Sequence, residues 1–504
     1  MDLSVALAAW SELLGAEHVR TGAAERAAAA TATFATTQRV AGLIFPATRD
    51  DVRACLLIAG RCGVPIWPIS AGKNWGYGSR VPLADGSVLM SLARLDRIID
   101  YSERLAYVTL EPGVTFRRLH GFLLEQGSNL LLNGPGSTPD ASVIGNALER
   151  GISQGLDGER WNQICGLEVV LASGWLLHTG YGRFANAPAA PLARAGPGPC
   201  LDGLFSQSNL GVVTALTIWL APRPAHVQSF TFRIRGESGL AAAVDRLQEL
   251  KMAGVIDTGC SLFNDCRMMA FLGRYPWSAG GPPLPAAERA RFQGRLGGAW
   301  YGEGGIGAAS PAIGRAKQAY VAERLAEVVD NLRWSPSDQA GALFDSRQET
   351  GLDSVYWRKT AAPPPDPDPD RDRCGVIWLA PVLPFAGDHV RRCVEMIEDR
   401  MRRHPFEPSI GLQGHSPRSI YVTIAIIYDR ELAGQDELAM ACYRDLLDHL
   451  GGAGYLPYRL GIQSMAGLPA GNDDTPAVLG AIKLALDPQS ILAPGRYDFA
   501  AEQP

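Results

Sequence analysis

The segment WPISAGKNWGYGS (67–79) gathers the residue types that can hold a phosphate. Glycines at 72, 76 and 78 allow tight turning and let an anion approach where no Cβ intrudes. Successive backbone N–H groups of such a loop can point at one oxygen cluster. Lys73 adds a positive charge, and Ser70 and Asn74 add neutral donors. A Gly-rich surface turn has the same composition, so the loop by itself leaves both readings open. It carries neither the G-x-G-x-x-G spacing of a dinucleotide fingerprint nor the G-K-[ST] of a Walker A loop.

The loop stands in a region of alternating short strands and amphipathic helices that runs over about the first 220 residues. DDVRACLLIAGRCG (50–63) reads as a helix with two aspartates at its start and Gly63 as its stop. VPIWPIS (64–70), SVLMSL (87–92) and LAYVTL (105–110) read as strands, and TFRRLHGFLLEQG (115–127) as a helix. Segments 167–172 and 175–180 read as a hairpin around Ala172, Ser173 and Gly174, and GVVTALTIWLAP (211–222) as a closing strand. From about residue 226 the loops lengthen. Strands are expected at 229–235, 376–381 and 419–429, and helices near 239–253, 311–332 and 476–486. The proline-rich, charged stretch APPPDPDPDRDRC (362–374) is expected to be an exposed loop.

A chain of 504 residues exceeds one compact core, so two domains are expected. Net charge is -5 with no long basic run, which disfavours nucleic acid and anionic membranes as partners. The nine cysteines are scattered and form no C-x-x-C pair, so neither a disulfide framework nor a metal site is expected. The opening stretch, with Asp2 before its apolar run, reads as a surface helix rather than a signal peptide. No apolar run is long enough to span a bilayer. These features together read as a cytoplasmic protein.

The sequence resembles the FAD-linked oxidases of the vanillyl-alcohol oxidase and p-cresol methylhydroxylase (PCMH) type. The resemblance is carried, in the family's order, by PISAGKNWGYG (68–78), LAYVTLEPGVTF (105–116), SVIGNALERG (142–151), GLEVVLASG (166–174), DGLFSQSNLGVVT (202–214), YLPYRLG (455–461) and DPQSILAPGR (487–496). It is weaker between 226 and 375. It implies an α+β, two-domain PCMH-type FAD-binding fold with an α+β cap. The FAD-binding domain would take 1–225, the cap 226–455, and a C-terminal segment, 456–504, would return to the first domain. Pro68, Ser70, Ala71, Gly72, Lys73 and Asn74 then match the loop around the FAD pyrophosphate. Ser142, Gly145, Asn146 and Gly151 match a second FAD-lining loop and helix start. Val213 matches a position beside the adenine end, and Arg496 a basic position near the flavin.

Tyr77, Tyr458 and Arg459 match the trio that holds the substrate hydroxyl as phenolate in phenol-oxidising members. The chemistry is coherent on its own terms. A phenol has a pKa of about 10, and a guanidinium with two hydroxyl donors favours its anion. Electron density from the phenolate lets hydride leave the benzylic carbon, forming a quinone methide.

Three departures from the family pattern stand out. The position of the histidine that links FAD covalently holds Val376, and no histidine stands in AAAATATFATT (27–37), so FAD is expected to be non-covalent. Cys374 and Tyr421 are the nearest nucleophiles along the chain and are given structural roles. The acid placed over the flavin in oxidase members falls on Ser137 or Asp140, which the sequence leaves open. In DGERW (157–161), Asp157 stands where phenol-oxidising relatives carry an aromatic.

The implied activity is hydride removal from a small organic substrate, a para-substituted phenol or benzylic alcohol. A non-phenolic hydroxy acid, amine or biosynthetic intermediate is the alternative, and a flavin-binding protein without turnover the second. O2 as reoxidant and a homodimer are left open by the sequence.

Overall fold

A computed structural model describes residues 2–153, 155–156, 158–234, 238–279, 281–336, 351–469 and 471–498. The chain divides into two compact units. The first comprises Met1–Gly151, Arg160–Pro222 and Arg459–Pro504, and the second Ile152–Glu159 and Arg223–Tyr458. The borders therefore fall at 222/223 and 458/459 rather than at 225/226 and 455/456. A short excursion, Ile152–Glu159, also belongs to the second unit, which no composition change announces.

In the first unit, a four-stranded sheet orders Val19–Arg20, Gly42–Ile44, Val88–Ser91 and Ile66–Ile69, the last three parallel. Helix Arg49–Cys62 crosses over between two of these strands. Thr48 and Asp51 form a reciprocal capping box at its start, and Gly63 ends it in the left-handed region, as the sequence signals require. Its buried Val52, Cys55, Leu56 and Ala59 pack on Trp10 of helix Leu3–Leu14 and on the sheet. A second, antiparallel sheet orders Ile98–Ser102, Tyr107–Leu110, Val212–Trp219, Ile164–Val170 and Leu176–His178. The C-terminal segment closes the first sheet: Leu492 bridges Ile66 in parallel, and the Ile66 amide donates to the Ile491 carbonyl at 2.8 Å.

The second unit is built on one eight-stranded sheet. Its order is Asp330–Pro336, His226–Ile234, Trp300–Ala308, Cys260–Asn264, Ser409–Gly414, Ser419–Asp429 and Cys374–Leu379, with Val382–Pro384 also on Ser419–Asp429. Helices Ser238–Met252, Pro311–Leu325, Gly387–Met401 and Gln435–Gly452 accompany it. Two expectations change here. The helix expected over 311–332 ends at Leu325, because strand Asp330–Pro336 begins there and pairs with His226–Ile234. Strand Trp300–Ala308, WYGEGGIGA, was not legible, since glycines depress strand propensity. They are needed because the Phe232 and Phe230 rings lie over Gly302 and Gly304, where a Cβ would stand 2.0 and 2.6 Å from them.

Pairing register separates the two faces of this sheet. Phe230, Phe232, Leu262, Leu412, Ile420 and Val422 are buried on one face. The other face presents a lateral row of Thr231, Glu303, Ser261, Gln413 and Tyr421, each opposite the next across neighbouring strands. Among the described residues, no helix is long and apolar enough to cross a membrane.

Candidate active site

The loop after strand Ile66–Ile69 fits a pyrophosphate on three observations. Gly72 has φ +68, and a Cβ there would stand 3.3 Å from Arg80 Cβ. The amides of Ala71 and Gly72 meet no acceptor among the described residues. The Ser70 hydroxyl lies 3.4 Å from where a Cβ on Gly145 would stand, so the loop and the turn at Ser142 share a wall. Pro68 lies within the strand that aims this loop, and Lys73 stands 5.3 Å from the Trp75 ring centroid.

Asn74 also has partners within the protein. Its side-chain oxygen accepts from Arg459 Nη2, and its carbonyl accepts from the amides of Tyr77 and Ser79. Asn74 therefore orients Arg459 and shapes the turn. The second loop is tied together by local hydrogen bonds. Ser142 caps the short helix Val143–Leu148 by accepting from the Gly145 amide, while its hydroxyl donates to the Pro112 carbonyl at 2.6 Å. Asn146 accepts from Arg160 Nε, and a Cβ on Gly151 would strike the Asn146 amide at 2.2 Å. Val213 is buried in strand Val212–Trp219, opposite Val169.

Within the first unit, Tyr77 and Arg459 come together. The guanidinium lies 3.9 Å from the centroid of the Tyr77 ring. Gly78, at φ +110, lets Ile462 pack against the loop, since a Cβ would stand 2.6 Å from it. Glu149 joins the group, a residue that sequence reasoning passed over although it lies within the SVIGNALERG motif. Its carboxylate pairs with Arg496 and lies 3.9 Å from Arg459 Nη2. Arg496 also stands 5.4 Å from the Trp67 ring centroid, and burial lowers its pKa. Two arginines about one carboxylate leave a net positive group.

Of the two acid candidates, Asp140 is half-exposed and forms a salt bridge with Arg117 at 2.7 Å, which holds its carboxyl below the usual range. That pairing commits Asp140 to a surface bridge. Ser137 is partly buried in the preceding turn.

In the second unit, Tyr458 donates its amide to the Ala380 carbonyl and packs edge-on against Tyr421 at 5.1 Å. Tyr421 is thus more than a strand tyrosine: its hydroxyl donates to Glu159 Oε1 at 2.8 Å. His415 lies 6.0 Å from the Tyr421 ring, and neither ring nitrogen has a hydrogen-bond partner. Burial, and then the nearby Lys251 ammonium, push its pKa down to about 3, so it is neutral. Glu159 and His415 carried no motif signal; only the fold assembles them. Asp157 lies outside the described residues. Val376 is buried and paired with Ile427, and Cys374 is fully buried with its thiol pushed well up by burial, in keeping with a structural role.

Comparison with known proteins adds the following. A family model described as an FAD binding domain matches residues 40–180. The chain is 47% identical, over 100% of its length and 98% of the relative, to 1'-carboxy-chondrochloren decarboxylase of Chondromyces crocatus. It is 27% identical to the 4-cresol dehydrogenase [hydroxylating] flavoprotein subunit of Pseudomonas putida, over 89% of this chain and 86% of that one. A crystal structure of p-cresol methylhydroxylase with substrate bound shares the fold, with a TM-score of 0.90 at 24% identity, covering 99% of this chain and 97% of that one.

Proposed function

The chain belongs to the FAD-linked oxidoreductases of the vanillyl-alcohol oxidase and p-cresol methylhydroxylase type, and from that premise we propose that it oxidises a para-substituted phenol whose side chain bears a carboxylate, with loss of CO2. Bound FAD supplies a two-electron hydride acceptor. The Ser70–Lys73 loop would hold its pyrophosphate, and Arg496 would stand toward its ring system. With Val376 at the linkage position, the association is non-covalent.

The observation that carries the proposal is the Arg459 guanidinium stacked on Tyr77 and held by Asn74. A fixed cation of this kind stabilises a phenolate without reorganising. Tyr77 supplies a neutral donor beside it, and Tyr458 is assigned a donor role by its match to the family trio. From the phenolate, hydride leaves the benzylic carbon and a quinone methide forms. When the adjacent carbon bears a carboxylate, the C–C bond to it then breaks, CO2 departs, and its electron pair forms a vinyl double bond while the ring regains its phenolate. One substrate thus gives one vinylphenol, one CO2 and one two-electron reduction. The loss of a carboxyl group agrees with the name of the Chondromyces relative, a 1'-carboxy-chondrochloren decarboxylase.

The test is anaerobic flavin reduction by 3-(4-hydroxyphenyl)propanoate, 4-propylphenol and their O-methyl ethers. Both phenols should bleach the flavin, and the acid should yield equimolar CO2 and 4-vinylphenol. Equal bleaching by the ethers would sink the phenolate mechanism. Reduction by the acid without CO2 would sink the decarboxylation.

A further inference from the structure

Among the described residues of the second unit, the buried arginines are Arg358 and Arg267. Arg358 pairs with Glu407 at 3.1 Å and donates to two carbonyls. Arg289 pairs with Asp265 at 2.8 Å. Arg267, on helix Asp265–Leu272, is only 7% exposed, yet its Nε and Nη1 have no hydrogen-bond partner and it forms no ion pair among the described residues. Its guanidinium stands 4.9 Å from the Phe271 ring centroid and 4.7 Å from that of Trp378. Two ring faces recover part of the desolvation penalty but satisfy none of the in-plane N–H donors. Asp265, at the start of the same helix, is engaged with Arg289. Burial accordingly pushes the Arg267 pKa down to about 10.

A second orphan stands beside it. Trp378 and Ser409 both pair with Ala425, one from each side, so all three share a lateral row. Ser409 is 1% exposed, and its hydroxyl has no hydrogen-bond partner among the described residues. Tyr421 lies on the same face, four residues earlier on the strand that carries Ala425. Tyr421 packs against Tyr458, the proposed hydroxyl-binding tyrosine. The two rows are separated by roughly 13 Å of strand.

We propose that Arg267, with Ser409, binds a carboxylate or comparable planar anion of the substrate, and so selects aryl acids over neutral aryl compounds. The proposal rests on the phenol reading for the substrate's aromatic head, and it deepens that reading by naming the residues that take its acidic group. The planar guanidinium, clamped between two rings, offers a fixed pair of donors to the two oxygens of a carboxylate. Arg267 binds the carboxylate in the ground state and is assigned no part in hydride loss from the benzylic carbon; it is a specificity-determining residue.

The test is isothermal titration calorimetry of the FAD-loaded protein with ω-(4-methoxyphenyl)alkanoates of three to six carbons and their primary amides. The methyl ether blocks phenolate formation, so binding is read without turnover. The wild type should bind at least one acid about 30-fold more tightly than its amide. Arg267→Met should bring that ratio close to one, and Arg267→Lys should restore it only in part. A wild type that binds acids and amides equally would overturn the proposal, whatever the variants do. So would an Arg267→Met protein that loses thermal stability but keeps the ratio, which would mark the arginine as a packing element. Acid-selective binding without any flavin reduction by the free phenols would support the anion site and refute the phenol reading. Reduction without acid selectivity would do the reverse.

Discussion

Arg459 is held by the Tyr77 ring, by Asn74 and by the Glu149 carboxylate, so its charge is fixed before any substrate arrives. Arg459→Ala is expected to slow flavin reduction by a para-alkylphenol by about 2–4 kcal/mol, with FAD content unchanged. A normal rate in anaerobic stopped-flow would remove the phenolate mechanism. Arg459→Lys should rescue poorly, because an ammonium cannot stack flat on Tyr77 while reaching Asn74. Tyr77→Phe and Tyr458→Phe should each slow reduction less, since one hydroxyl donor remains and the Phe ring at 77 still stacks. His415 gives a separate, pH-dependent expectation. Its folded pKa, about 3, lies below the ordinary value of 6.5, so the stability it contributes is full above pH 6.5 and is lost as pH falls toward 3. In that window unfolding should show an extra slope of about 1.4 kcal/mol per pH unit. Denaturant titrations at pH 7 and 5 should show a smaller difference in His415→Gln than in wild type.

At the scale of elements, the loop after Ile66–Ile69 and the glycine strand Trp300–Ala308 lead to opposite expectations. Lys73→Glu, or a bulky residue at Gly72, should lower FAD occupancy while leaving the relative rates of different phenols alone. Full occupancy in both variants, measured by flavin absorbance after gel filtration, would remove the pyrophosphate assignment. Gly302→Ala should instead destabilise the second unit by about 1–3 kcal/mol, because its Cβ lands on the Phe232 ring. Thermal unfolding reads that directly. The same two elements show what was legible. Strands and helices of the first unit announce themselves by period, by caps such as Thr48 and Asp51, and by stops such as Gly63. The glycine strand does not, because its stability comes from aromatic rings on a neighbouring strand, a contact made across some 70 residues. Tyr77 and Arg459 could be nominated from motif resemblance. Glu149, Glu159 and His415 could not, because their roles exist only once distant strands are in register.

For the whole molecule, FAD is expected to leave on acid or heat precipitation, since buried Val376 offers no nucleophile. Flavin fluorescence that stays with the protein band after denaturing electrophoresis would contradict this. The first unit is assembled from three stretches of chain, and the last, Arg459–Pro504, supplies Arg459, Arg496 and the Leu492 bridge to Ile66. That segment is anchored from within: the Lys483 ammonium is buried and donates to Asn209, Leu492 and Asp487. During synthesis a chain folds from its N-terminus at about 5–20 residues per second. The pyrophosphate loop therefore emerges long before the residues that close its sheet and charge its pocket. For the whole time the second unit is being translated, the nascent first unit lacks an edge and two cations. Flavin capture then becomes an event that follows translation, and a stop codon anywhere after the second unit but before Arg496 yields colourless protein.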